Sequence, residues 1–209
     1  ILLETPGGKA ESALRFVGRH NVMNALAAAA AGVALGLDAA AVARGLQALE
    51  RVPGRLEAVA CALPFRVFVD YAHTEDSLRS LLKTVRTFTK GRLLLAFGCG
   101  GDRDRTKRPR MGAVAQELAD VVVVTSDNPR SEDPQAILAE IRAGMTGSRP
   151  YRTELDRGQA IRLLLGEARE GDTVLIAGKG HERGQILKDR IEPFDDREQA
   201  LSAVRALGG

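Results

Sequence analysis

From residue 55 onward the chain alternates short, almost wholly apolar runs with amphipathic helical patterns, and this alternation constrains its fold more than any other feature. The runs at 66–70, 92–97, 121–125 and 173–177 have the length and content of strands buried on both faces. Leu78, Leu81, Leu82, Val85 and Phe88 share one helical face, and Ile137, Leu138, Ile141 and Met145 share another. Two further patterns use Ile161, Leu164, Leu165 and Ala168, then Ala200, Leu201, Val204 and Leu207. The expected fold class is α/β: a Rossmann-like, mostly parallel sheet with helices on both faces. Right-handed crossovers in such a sheet bring the C-terminal ends of its strands to one edge, where ligands collect.

The first residues follow another plan. They predict a hairpin turning at Thr5-Pro6-Gly7-Gly8, with its return strand running through Ala13 to Val17. An Ala-rich helix from Asn21 to Leu35 follows, closed by Gly36. Asp38 then caps a second helix with Val42, Leu46 and Leu49 on one face. Val52-Pro53-Gly54 breaks that helix, which sets an expected boundary between residues 1–53 and residues 54–209.

Composition narrows the function. At 209 residues, 44% hydrophobic and 27% charged, the chain can bury an ordinary core. Its net charge is only +3, with no Trp, two Tyr and six Phe, a poor endowment for stacking on nucleic-acid bases. The one dense basic run, residues 103–110, holds five cations interleaved with Asp104. Such a run suits a pocket for small anions, or else a solvated stretch ahead of a helix. Cys61 and Cys99 lack metal-ligand or CxxC spacing and are expected to be small buried residues, kept reduced in a cytoplasmic chain. No stretch has the apolar length of a membrane span. The opening residues have no basic n-region and read as though cut from the middle of a longer protein.

Each expected strand runs into polar or Gly-rich chemistry. The first ends on Asp70-Tyr71-Ala72-His73-Thr74-Glu75. Here Asp70 could accept hydrogen bonds from a ribose and the rings could line a nucleotide; equally, Asp70 or Thr74 could be a helix cap. The second strand is followed by Gly98-Cys99-Gly100-Gly101 and then Arg103, Arg105, Lys107, Arg108 and Pro109. The glycines allow close backbone approach to a ligand, the arginines offer planar forks for carboxylate or phosphate, and Pro109 suits the first turn of a helix. This order of residues is neither a Walker A loop nor the GxGxxG of a dinucleotide fold.

The third strand meets Asp127-Asn128-Pro129-Arg130, which suits a zwitterion: Arg130 for a carboxylate, Asp127 for an ammonium, Asn128 for either. A plain turn before a helix capped by Asp133 is the alternative. After the fourth strand, Gly178-Lys179-Gly180-His181-Glu182 exposes backbone and offers a carboxylate for a second ammonium.

Taken in order, these segments resemble the Mur ligase family, and within it the members that add diaminopimelate. The resemblance starts at Gly18-Arg19-His20-Asn21-Val22-Met23-Asn24, continues through Val52-Pro53-Gly54-Arg55-Leu56-Glu57 and the strand ends, and closes at Phe194-Asp195-Asp196-Arg197. Glu75 departs from it, since many relatives carry Pro there.

The resemblance implies that residues 1–53 end a central ATPase domain and that residues 54–209 form a domain carrying amino-acid specificity. It implies ATP and Mg²⁺ as cofactors, with a UDP-MurNAc-dipeptide and meso-diaminopimelate as substrates. ATP would phosphorylate the D-glutamyl carboxylate, and the diaminopimelate amine would attack the acyl phosphate. Residues Arg103, Asp127, Asn128, Pro129, Arg130, Gly178 and Glu182 would then face the amino acid. Asn21 or Asn24, Arg55, Asp70, Tyr71 and His73 would lie near ATP, with Lys107 and Arg108 as possible phosphate contacts. No GxxxxGK[ST] occurs in the sequence, so these residues alone are expected to bind without turning over, and no metal ligand is assigned. A hinge is expected near Val52-Pro53-Gly54. A lysine-adding ligase of the same fold, a nucleotide-binding oxidoreductase module and a non-catalytic binding domain remain as alternatives.

Overall fold

The computed structural model describes residues 1–16 and 18–208, without the side chains of Arg19 and His20. The chain forms two compact units, Ile1–Val52 and Pro53–Gly209.

The first unit opens with an antiparallel hairpin of β1 (Leu2–Thr5) and β2 (Gly8–Glu11). The return strand therefore ends at Glu11, before the expected Ala13–Phe16 stretch, and Val17 lies outside the described residues. Thr5 and Gly8 pair across a turn of only two residues, so strand pairing begins and ends earlier than the apolar pattern suggested. Helix α1 (Arg19–Ala34) follows, and Gly36 at φ 86° takes the left-handed conformation that stops it. Asp38 caps α2 (Ala39–Ala48) by accepting from the Ala41 amide. Leu3, Ala25, Ala29, Val42, Ala43 and Leu46 form the core of this unit. Leu49, expected on that face, is the residue after the helix and stays exposed.

In the second unit, β3 (Glu57–Val59), β4 (Arg66–Asp70), α3 (Glu75–Arg86), β5 (Leu93–Phe97), α4 (Lys107–Leu118), β6 (Val121–Thr125), α5 (Pro134–Arg142), β7 (Tyr151–Glu154), α6 (Arg157–Glu167) and β8 (Thr173–Ala177) alternate along the chain. A hairpin of β9 (Gly184–Ile186) and β10 (Ile191–Pro193) and helix α7 (Asp196–Ala206) complete it. The six-stranded sheet has the order β3-β4-β8-β5-β6-β7, parallel except for β3 at its edge. The expected mostly parallel sheet, covered on both faces, is what the chain forms.

Alternation along each strand explains the two cores. Leu93, Leu95, Phe97, Val122, Val124 and Leu175 pack beneath α3, α4 and α5. Leu94, Ala96, Val121, Val123, Val174 and Ile176 pack beneath α6 and α7. The chain moves outward from β4 to β7 with its helices on one face, then returns through α6 on the other to insert β8 between β4 and β5. Right-handed crossovers require that change of face when the direction reverses.

Capping defines the helix starts. Thr74 and Ser77 form a reciprocal capping box at α3, while Asp133 with Pro134 begins α5. Helix α5 ends at Arg142, yet Met145 beyond it is buried. Leu207, expected on the inner face of the last helix, is instead its exposed C-cap.

Candidate functional site

Register places the strand ends level with one another. Asp70 and Phe97 both pair with Ala177, and Phe97 pairs with Val124. The loops after β4, β8, β5 and β6 therefore emerge side by side on one rim. The loop after β8 leads to the face opposite its two neighbours' helices, which makes this rim the topological switch point of the sheet.

The glycines after β5 let loops meet each other. A Cβ on Gly101 would stand 1.9 Å from the Pro129 carbonyl oxygen, and one on Gly98 would stand 2.2 Å from that of Thr125. The Gly101 amide donates to the Asn128 carbonyl at 2.8 Å. The close backbone approach that these glycines allow is made here between loops of the protein. We predict that Gly101→Ala destabilises the second unit by about 1–3 kcal/mol through overpacking. Urea unfolding followed by circular dichroism measures it, and an unchanged midpoint would contradict the packing described here.

On this loop pair, Arg130 has φ 52°, its amide donates to the Ile186 carbonyl at 3.0 Å, and Nη1 donates to the Gly101 carbonyl at 2.8 Å. A Cβ on Gly100 would lie 2.8 Å from Arg130 Nη1 and 3.9 Å from Arg103 Cγ, so both arginines flank that glycine. Arg103 is exposed and Arg130 half-buried. Asn128 Nδ2 donates to Glu182 Oε2 at 2.7 Å, while Asn128 Oδ1 accepts from Lys179 Nζ at 2.8 Å and the Ile186 amide at 2.9 Å. Lys179 Nζ also stands 3.4 Å from Glu182 and 3.8 Å from Asp127. A Cβ on Gly178 would meet Asp127 Oδ2 at 2.7 Å, so a side chain there would displace that carboxylate. Arg103, Asp127, Asn128, Pro129, Arg130, Gly178 and Glu182 thus fall on adjoining loops of the rim.

The β4 end carries an aromatic and cationic group. The Arg55 guanidinium lies 5.1 Å from the Tyr71 ring centroid, with His73 and His181 centred 4.6 and 5.3 Å from that ring. Asp70 first serves the fold: Oδ2 accepts from the Leu56 amide at 2.7 Å and Oδ1 from the Ala72 amide at 2.8 Å. This ties down the loop that carries Arg55. Lys107 Nζ donates to the His73 carbonyl at 2.7 Å, joining the loops after β4 and β5. Asn21 and Asn24 stand on the first turns of α1 in the first unit, Asn21 buried and Asn24 exposed.

Arg108 corrects an expectation. Suggested as a phosphate contact, it is fully buried and its guanidinium is committed internally. It makes a two-pronged pair with Glu132, each bond 2.8 Å, and adds Glu140 at 2.8 Å and the Gly100 carbonyl at 3.1 Å. Its charge holds the β5–α4 loop onto the start of α5. Arg105 pairs with the same Glu140. The hydrogen bonds from Arg108, then that from the Asp102 amide, lower the Glu132 carboxyl from 4.5 to about 2.

A carboxylate with a lowered folded-state pKa contributes stability above its unfolded value, lost as pH falls through the folded one. The Glu132 contribution is therefore complete above 4.5 and disappears as pH approaches about 2. We expect Glu132→Gln to be less stable at neutral pH and to lose less stability across that acid window. Denaturant melts at stepped pH test this, and parallel curves for both proteins would contradict it.

Beneath the rim, Arg157 and Asp196 form a fully buried pair at 2.7 Å on two bonds. Arg157 also donates to the Ala177 carbonyl at 3.0 Å and the Ser126 carbonyl at 3.4 Å. One side chain thus holds the ends of β8 and β6 at a set separation. Burial draws the guanidinium pKa down, and the Asp196 charge and hydrogen bonds more than restore it. Cys99 is a buried thiol pushed up to about 12 by that burial, whereas Cys61 is only half-buried, contrary to expectation.

Level strand ends, a topological switch point and polar loops on one rim define an α/β domain of the Rossmann-like class. More specifically, the chain belongs to the Mur ligase family: the family described as Mur ligase, glutamate ligase domain, matches residues 54–180. The chain is 53% identical over 203 residues to the UDP-N-acetylmuramoyl-L-alanyl-D-glutamate–2,6-diaminopimelate ligase of Gloeobacter violaceus, covering 97% of this chain and 42% of that protein. A solved ligase structure of the same name superposes with a TM-score of 0.73 at 38% identity, covering 100% of this chain and 43% of the other. Mycobacterium tuberculosis folylpolyglutamate synthase, solved with ADP and AMPPCP, is 26% identical with a TM-score of 0.65, covering 97% and 43% of the two chains. The chain therefore spans about two fifths of the length of the curated relatives it matches.

Proposed function

We propose that the larger unit selects meso-diaminopimelate in an ATP-dependent amide-forming ligase that extends UDP-MurNAc-L-Ala-D-Glu in the cytoplasm. The observation that carries this reading is the convergence of Arg130 with Asp127, Asn128 and Glu182 on one rim. A guanidinium beside carboxylates suits an amino acid whose distal end bears both a carboxylate and an ammonium. Arg103 adds a second cation beside Arg130, while Pro129 and Gly178 shape the loops. The similarity to ligases named for diaminopimelate supports the same substrate.

The Arg55, Tyr71, His73 and His181 group offers a flat, partly cationic surface of the kind a nucleotide base or ribose could meet, with Lys107 nearby. In this reading Asp70 is a nucleotide contact of the larger unit, and residues 1–53, with Asn21 or Asn24 as their own nucleotide contact, close an ATPase domain whose phosphate loop lies upstream. Mg²⁺ belongs with the nucleotide phosphates. Among the described residues, no group of three or more His, Cys, Asp or Glu could hold a metal ion. No helix among them is long and apolar enough to cross a membrane.

The chemistry assigned to this chain is positioning: it holds the amine of the incoming amino acid toward an activated D-glutamyl carboxylate. Phosphate release tests the proposal. The 209-residue chain alone should form no tripeptide from ATP, the UDP-dipeptide and diaminopimelate. Joined to the upstream half of a diaminopimelate-adding relative, it should release phosphate with diaminopimelate and not with L-lysine. Turnover by the chain alone, or equal turnover of the two amino acids by the fusion, would overturn the reading.

A further inference from the structure

Lys179 is the one member of the rim cluster to which the proposed function gives no task. It stands two residues beyond the end of β8, between Gly178 at φ 118° and Gly180 at φ 56°, and its side chain is fully buried. A buried ammonium needs anions and acceptors around it. Lys179 finds Asn128 Oδ1 at 2.8 Å, Glu182 at 3.4 Å and Asp127 at 3.8 Å.

Two consequences follow from this geometry. The first concerns the Asn128 amide. Its oxygen accepts from both Lys179 Nζ and the Ile186 amide, so the reversed amide would set a donor against two donors. Nδ2 is thereby forced to face Glu182, at 2.7 Å, and the amide can serve the rim only as a donor. The second concerns charge. Asp127 and Glu182 are two anions within reach of one buried cation, and Arg130 adds a second cation on the adjoining loop. With the exposed Arg103 left outside, the inner cluster of these four groups is balanced, and therefore matched to a ligand end that is itself neutral overall, an ammonium with a carboxylate. Without Lys179 it would carry one excess negative charge and favour a simple cation.

We propose that Lys179 is the internal counter-ion of the amino-acid pocket, a positioning residue that fixes the Asn128 amide as a donor and sets the charge balance that favours a zwitterionic side-chain end over a lone ammonium. The inference rests on the reading of this rim as the diaminopimelate pocket. Lys179 acts through Asn128 and Glu182 and does not itself meet the ligand.

The experiment is a calorimetric titration of the wild-type chain and of Lys179→Met, of nearly equal length and no charge, with meso-diaminopimelate and with L-lysine. The wild type should prefer diaminopimelate. In K179M the diaminopimelate affinity should fall about tenfold, as for loss of a charged hydrogen-bond partner, while the lysine affinity holds or rises. An equal loss for both ligands, or none for either, overturns the role of Lys179 while leaving the pocket intact. A wild type that binds neither ligand, or both equally, overturns the reading of the pocket itself.

Should K179M not fold, the wild-type chain decides by NMR. The Lys179 ammonium should give a slowly exchanging nitrogen signal, with a contact to the Asn128 side chain, in both the free and the diaminopimelate-bound states. Loss of that contact on binding would make Lys179 a ligand group and end the proposal.

Discussion

Asp196→Ala should be the most damaging single substitution in the second unit, costing about 3–5 kcal/mol, the usual range when one partner of a buried ion pair is removed. The Arg157 guanidinium would be left charged and fully enclosed, with only the Ala177 and Ser126 carbonyls as acceptors. Arg157→Ala should be comparably harmful, because it strands the Asp196 carboxylate and releases the two strand ends together. Replacing both by apolar residues of similar volume should cost much less than either single change, since no charge is then buried alone. Urea denaturation of the three variants decides the matter. Singles that lose under about 1 kcal/mol, the range of a surface pair, would show that the brace contributes little.

The second large effect concerns recognition. Arg130→Ala should weaken diaminopimelate binding by about 1.5–3 kcal/mol, the range for hydrogen bonds to charged groups, and leave L-lysine binding almost unchanged. Lysine has no distal carboxylate for the guanidinium to hold. Arg130→Lys should recover only part of the loss, because an ammonium cannot present two parallel donors. Part of the alanine effect would come through the loop, since Arg130 Nη1 also holds the Gly101 carbonyl. The lysine titration separates the two causes: a disordered loop weakens both ligands, whereas a lost carboxylate grip weakens one.

The parts of this molecule legible in the sequence are those with a strong period or a defined cap. Four buried parallel strands announced themselves as apolar runs, and Asp38, Thr74 and Asp133 cap helices where their side chains allow. The missed elements lack such a signal. Strand β7, Tyr-Arg-Thr-Glu, lies at the sheet edge with its residues partly or fully exposed, so no apolar run marks it. The β9–β10 hairpin is likewise polar and short, although its Ile186 backbone pins both Asn128 and Arg130.

Within the candidate site, strand ends and polar loops showed which segments meet on the rim, but not which charges turn inward. Arg108 and Arg103 look alike in the basic run. One is closed into an ion network by Glu132 and Glu140, some two dozen residues and more away in sequence, and the other is exposed. The Arg157–Asp196 pair spans α6 and the start of α7 and has no local signature at all. Contacts between distant segments, rather than local propensity, decided these cases.

The most direct test of the central claim is calorimetric titration of the chain with meso-diaminopimelate and, separately, with L-lysine. The structure predicts heat of binding for diaminopimelate well in excess of that for lysine, and loss of that preference in Arg130→Ala. Equal binding of the two amino acids by the wild-type chain would contradict it.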